Sequence, residues 1–248
     1  SMMWTSAAQA QSCSPAATQG TAPAGWETYC WLDLASYNDT TARSAAGQNF
    51  SFVLSDGSTL FFTLRVTGGT GTAYNAVTAP SWSGAGVGNT AFLGIPGRPI
   101  LYTAAAGTRT ITFSGITITP PAGASGISAY SFVVADAEST NNGESLRYTT
   151  NGASWQLLDD VPPISGSTYP VLSGLGTATV NVAGVAGTVG AHIVASNSPT
   201  TVSVQTVAGG LQGVMFAVRF ASIRLRKNIV GLRANASDQF QFQVLSTT

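Results

Sequence analysis

Charge is the scarcest commodity in this 248-residue chain. Asp, Glu, Lys and Arg together make up 8% of it, and the formal net charge is zero. Average domains carry about 25%. A chain so poor in Glu and Lys is not a helical bundle or a coiled coil, and one without net positive charge offers no general field for a nucleic acid. There is one histidine, His192, and one lysine, Lys227. No Gly-x-Ser-x-Gly accompanies His192, and no glycine-rich stretch leads into a helix as a phosphate-binding loop does. No run of about 18 apolar residues occurs, so no membrane-spanning helix is expected. A sustained 3.6-residue apolar stripe is missing as well, and so is any repeat of fixed period.

What the chain has is Thr, Ser and Gly, at 31, 27 and 28 residues, and a hydrophobic fraction of 44% that argues against disorder. The apolar residues alternate. Phe50, Phe52 and Leu54 share one face, and after the Asp56-Gly57 turn Leu60, Phe62, Leu64 and Val66 share it again. Further strands are expected over 100–105, 108–119, 128–137, 144–150, 155–160, 177–183, 191–196, 201–207, 214–226 and 239–245. Short strands separated by Gly and Pro turns specify an all-β sandwich or jelly roll.

Three divisions are expected. Residues 1–25 read as an export-signal remnant, with a cleavage pattern at Ala8-Gln9-Ala10, followed by a Pro- and Ala-rich arm. Residues 26–226 read as the sandwich. Residues 227–248 read as a linker with a closing strand, or as the start of a following domain. The only cysteines, Cys13 and Cys30, would tether the arm to the strand beginning near Trp26, since exported chains favour disulfides. Charge is also uneven along the chain. Arg219, Arg224, Arg226, Lys227 and Arg233 face Asp238 alone in the last stretch, so an acidic body ends in a basic segment.

Two segments stand out as candidate sites. Asp136, Glu138 and Glu144 concentrate scarce carboxylates around the Asn141-Asn142-Gly143 turn. In an extended strand Asp136 and Glu138 would share a face. Such a group can hold Ca²⁺ with Asn141 completing an oxygen shell, accept hydrogen bonds from sugar hydroxyls or an arginine, or cap the turn's own N–H groups. A glycosidase-like carboxylate pair lacks a deep polar cleft to serve it. The second segment runs from Ala79 to Pro99 and carries Trp82, Phe92 and Arg98 among glycines. A long loop of this kind either presents anchors for recognition or packs as an Ω-loop over one end of the sandwich. His192 reads as an ordinary sheet histidine. Thr110 and Thr112, like Thr117 and Thr119, read as outward strand positions.

These segments carry a family resemblance. Cys30-Trp-Leu-Asp-Leu34 with Tyr37-Asn-Asp39, the Pro80-to-Tyr102 loop and Phe132 to Leu146 resemble, in that order and spacing, the second non-repetitive domain of CshA-type fibrillar surface adhesins. The resemblance spans roughly residues 28–224, and Ala135-Asp-Ala-Glu-Ser-Thr-Asn-Asn-Gly-Glu-Ser145 is its most specific part. It implies a lectin-like β-sandwich, similar to carbohydrate-binding modules, displayed on a bacterial cell surface or wall and without enzymatic activity. The type member contributes to binding fibronectin. The implied partners are a host extracellular-matrix glycoprotein or glycan and neighbouring domains of the same surface protein. The other reading of such a module is a structural spacer with no ligand of its own.

Overall fold

The computed structural model describes residues 11–69, 72–124, 126 and 129–220. The expected export remnant over 1–10, the end of the strand expected over 214–226, and the stretch 227–248 with Lys227 and the strand at 239–245 lie outside the described residues.

The strands in chain order begin with β1 (Gln11–Ser14), β2 (Tyr29–Leu32), β3 (Gln48–Val53), β4 (Thr59–Gly68) and β5 (Asn75–Val77). There follow β6 (Ile100–Thr103), β7 (Gly107–Thr119), β8 (Tyr130–Asp136), β9 (Ser145–Thr150) and β10 (Gln156–Val161). The last are β11 (Val171–Ser173), β12 (Thr179–Ala183), β13 (Ala191–Asn197), β14 (Thr201–Ala208) and β15 (Gln212–Phe220). A short α-helix, α1 (Asp39–Arg43), starts where Asn38 accepts from the Thr41 N–H.

The strands form the two layers of a β-sandwich. The outer sheet runs β1-β3-β4-β7-β14-β9-β12-β11. The inner sheet runs β10-β13-β8-β15, with β6 and β2 end to end along the far edge of β15, and β5 beyond β6. The arm contributes the join. β1 lies parallel to β3 in one sheet and antiparallel to β2 in the other. The Cys13–Cys30 disulfide crosses beside that join.

Between the sheets lies a core of phenylalanines. Phe50, Phe52 and Phe62 stack in the outer sheet, Phe62 meets Phe113, and Phe113 meets Phe132 and Phe216 of the inner sheet with ring centroids 5.0 and 4.5 Å apart. The expected inward set Leu60, Phe62, Leu64 and Val66 is buried. Alternation is clean in the outer sheet because its far side faces water. The inner sheet is covered on both sides. Phe132, Val134, Val214, Phe216 and Val218 enter the central core, while Val133, Ala135, Met215 and Ala217 enter a second one.

That second core lies under the Ala79–Pro99 loop and the arm. Phe92 is fully buried there, edge-on to Tyr29 and Trp31 at 5.3 and 5.5 Å. Ala85, Val87, Ala91 and Ile95 are buried with it. The arm clamps the loop by backbone bonds. Ala17 and Thr18 N–H groups donate to Gly94 and Leu93 carbonyls, and those of Thr21 and Ala22 to Thr90 and Ala91. Gly20 is obligatory in this clamp, because a Cβ there would sit 2.1 Å from the Thr90 carbonyl oxygen and φ is +64°.

Candidate ligand-binding site

The acidic segment is built where β8 stops. Strand geometry ends at Asp136, so Asp136 and Glu138 do not continue the alternation that would put them on one face. Instead the Asp136 carboxylate turns inward and organises the chain that follows. Its Oδ1 accepts from the Glu138 N–H at 3.0 Å, and its Oδ2 accepts from the Thr140 N–H at 3.1 Å and the Thr140 hydroxyl at 2.5 Å. Burial pushes its pKa up to about 7, although these bonds to the charged form work in the other direction.

Glu144 closes the next turn. Its Oε2 accepts from the Asn141 N–H at 3.0 Å, and its Oε1 accepts from the Gly209 N–H at 2.9 Å. One side chain thereby ties the 141–144 turn to the β14–β15 connection. Gly184 lets the same turn sit close, since its N–H donates to the Glu144 carbonyl and a Cβ would fall 1.7 Å from the Asn141 carbonyl oxygen.

Glu138 is different. It is 4% exposed, and its Oε2 meets no hydrogen-bond donor. Burial, followed by the neighbouring Asp136 and Glu144, pushes its pKa up to about 8, although a backbone bond from Ser139 works in the other direction. A buried acceptor without a donor costs about 1–3 kcal/mol, so this carboxyl is held in place by its surroundings at the expense of stability.

Trp82 arrives from the long loop. Its carbonyl accepts from the Ala85 N–H and the Asn89 amide, and Gly84 leaves room for the indole, which a Cβ would approach to 2.2 Å. Together Trp82, Glu138, Asn141, Asn142, Glu144, Gly209, Gly210 and Leu211 line a cavity of about 360 Å³.

Four of the seven residues singled out in the sequence, Trp82, Glu138, Asn141 and Glu144, thus meet at one place. Three do not line it. Asp136 lies behind, committed to backbone. Phe92 presents no surface, being an anchor of the loop itself. Arg98 is exposed elsewhere, with its N–H donating to Asp33 and its carbonyl accepting from Leu34. Gly209, Gly210 and Leu211 were not foreseen. They follow β14, and their only sequence signal is a Gly-Gly hairpin dipeptide. The three carboxylates do not converge on an ion: among the described residues no group of three His, Cys, Asp or Glu is placed to hold a metal.

His192 is buried in β13. Its Nδ1 lies 2.6 Å from an Asp160 oxygen and its Nε2 lies 2.9 Å from the Pro170 carbonyl, so both ring nitrogens are engaged. The ring stacks on Tyr169.

Comparison with known families gives one match, to the surface adhesin CshA non-repetitive domain 2, over residues 27–219. The chain belongs to this family. No curated protein and no solved structure matches it. The matched span takes in every strand from β2 to β14, β15 up to Arg219, the loop bearing Trp82 and the whole acidic segment. A CshA-type surface-adhesin domain accords with a disulfide-bonded β-sandwich. Among the described residues no helix is long and apolar enough to cross a membrane.

Proposed function

We propose that this domain is a ligand-binding module of a bacterial cell-surface adhesin, and that it holds a host extracellular-matrix glycoprotein or glycan non-covalently at the Trp82–Glu138–Glu144 cavity. The observation that carries this reading is the meeting of two distant segments. Trp82 and Glu138 come from separate loops, each braced by its own hydrogen bonds, and line one cavity of about 360 Å³. Aromatic side chains with a few convergent polar groups are the usual composition of a recognition pocket. Rigid bracing lowers the ordering cost of binding. The cell wall is the proposed location, and the domain works without a cofactor and by attachment rather than by catalysis.

The test is a glycan and matrix-protein array read with variants. Trp82→Ala and Glu138→Ala should each weaken attachment to the ligand the array identifies by about 1–2 kcal/mol, or roughly tenfold, as truncated anchors do. Thr110→Ala, on the outer sheet's wet face, should leave it unchanged. Normal binding by both folded pocket variants would move the site elsewhere on the surface. A parent domain that binds nothing on either array would make the module a spacer.

A further inference from the structure

The cavity has a sign. Two carboxylates line it and, among the described residues, no basic side chain does. Asp136 adds a third acid directly behind. The oxygens of Asp136 and Glu144 are spoken for by backbone N–H groups and the Thr140 hydroxyl. Glu138 alone keeps a buried oxygen without a donor. Acids gathered this closely repel one another when ionised, and the strain is relieved either by a proton or by another cation. Nothing in the described cavity supplies that charge.

We propose that the cavity recognises an organic cation, the guanidinium or ammonium group that ends an arginine or lysine side chain of a protein partner, held by the Glu138 carboxylate against the Trp82 indole. This deepens the function proposed above and rests on it. The donor set selects the cation. Ca²⁺ takes six to eight oxygens, whereas here four of the six carboxylate oxygens already bind the chain and no three-acid group is placed around one point. An indole offers a hard ion nothing, yet it is the best aromatic partner for an organic cation. A neutral sugar would be served equally by amides, and would not offset the charge that Glu138 carries once ionised. An incoming guanidinium would provide both missing things, a counter-charge and, as the Glu138 carboxyl turns its buried Oε2 toward the cavity, a donor for that oxygen.

The protonation balance follows. The titratable groups facing Glu138 are Asp136 and Glu144, with Tyr102 near enough to sense its charge. With its pKa pushed up to about 8, Glu138 is mostly protonated at neutral pH. A cation therefore binds as the carboxyl gives its proton to solvent, and affinity should rise with pH up to and through that value.

The experiment uses the whole chain, labelled with ¹⁵N, and follows the Trp82 indole N–H, identified by its loss in Trp82→Phe. The probes are Nα-acetyl-arginine N-methylamide, its uncharged citrulline counterpart, spermidine and methyl mannoside. The arginine probe should shift the Trp82 signal in a saturable way, at least tenfold more tightly than citrulline, and more tightly at pH 8.5 than at pH 6.5. Glu138→Gln, which keeps the shape and hydrogen-bonding capacity, should abolish that response, and Thr110→Ala should keep it. Stronger binding of the arginine probe than of spermidine identifies a protein side chain as the source, and the reverse identifies a free polyamine within the same chemistry. Equal responses to arginine and citrulline, or an unchanged response in Glu138→Gln, would overturn the cation while leaving the cavity as the site. A shift with methyl mannoside alone would do the same. Silence from every probe, together with normal array binding by Trp82→Ala, would overturn the cavity itself.

Discussion

The two sheets of this sandwich solve the burial problem differently. In β4, β12 and β14 of the outer sheet, buried and accessible residues alternate. In β8, β13 and β15 of the inner sheet, nearly every residue is buried. Antiparallel sheets commonly leave one face to water. The inner sheet does not, because the Ala79–Pro99 loop and the clamping arm form a third layer on it. The outer sheet's wet face is a grid of short polar side chains instead. Arg65, Thr112, Ser203, Thr149 and Thr179 stand opposite one another across five strands, and Thr67, Thr110, Gln205, Arg147 and Asn181 form the next row. A covered face braces the loop that carries Trp82, and an uncovered one stays polar and wet.

The contrast can be broken most severely at Phe92. Phe92→Ala empties the second core and should cost about 3–5 kcal/mol, while Phe61→Ala, on a ring 39% exposed on the outer sheet, should stay within about 0.5 kcal/mol. Urea denaturation of both variants checks this. Comparable losses would mean that the loop layer contributes no more than the surface does.

Next in size is the disulfide. A Cys13→Ser, Cys30→Ser double variant should lose roughly 3 kcal/mol, as the release of a loop of this length implies. Thermal unfolding with and without reductant measures it. The loss should come with a weakened arm clamp, seen as faster amide exchange at Thr21 and Ala22.

A smaller effect should come from pH. Asp136 and Glu138 are held at about 7 and about 8, above their ordinary 3.8 and 4.5. The folded state keeps protons that the unfolded chain gives up, so their contribution is full below about pH 4 and is lost as pH rises through 7 to 8. Between pH 5 and pH 8.5 the parent should lose more stability than Glu138→Gln does, by on the order of 2 kcal/mol. Identical pH profiles would show that Glu138 ionises as freely in the fold as outside it. The least effect belongs to the polar grid, where Thr112→Ala should move the unfolding midpoint by no more than about 0.5 kcal/mol.

The same contrast explains what the sequence made legible. Alternation around Asp56-Gly57 announced the β3–β4 hairpin because one of its faces is wet. The pairing of Cys13 with Cys30 was legible because the chain has only two cysteines and its N-terminus reads as an export remnant. β1 was hidden, since Gln-Ser-Cys-Ser has no apolar pattern and its place is set by partners in both sheets. Phe92 and Trp82 looked alike, two aromatics among glycines. Only packing separates the one that pins the loop from the one that lines the cavity. The strand rule placed Asp136 and Glu138 side by side, and it failed because β8 ends at Asp136. Gly209 and Gly210 line the cavity with backbone, which leaves no mark in a residue pattern.

For a tethered adhesin the join at β1 governs how force is carried. Tension entering through β1 passes across the Cys13–Cys30 bond directly into β2, which lies against β15 in the inner sheet. The two cysteines stand 17 positions apart in sequence, and the stretch between them is therefore out of the load path, a slack reserve of roughly 60 Å at full extension. That reserve includes the segment that clamps the Trp82 loop. In the oxidised domain, pulling leaves the clamp unloaded and the cavity intact. In the reduced domain the same pull peels the arm first, so the loop clamp would fail before the sandwich does.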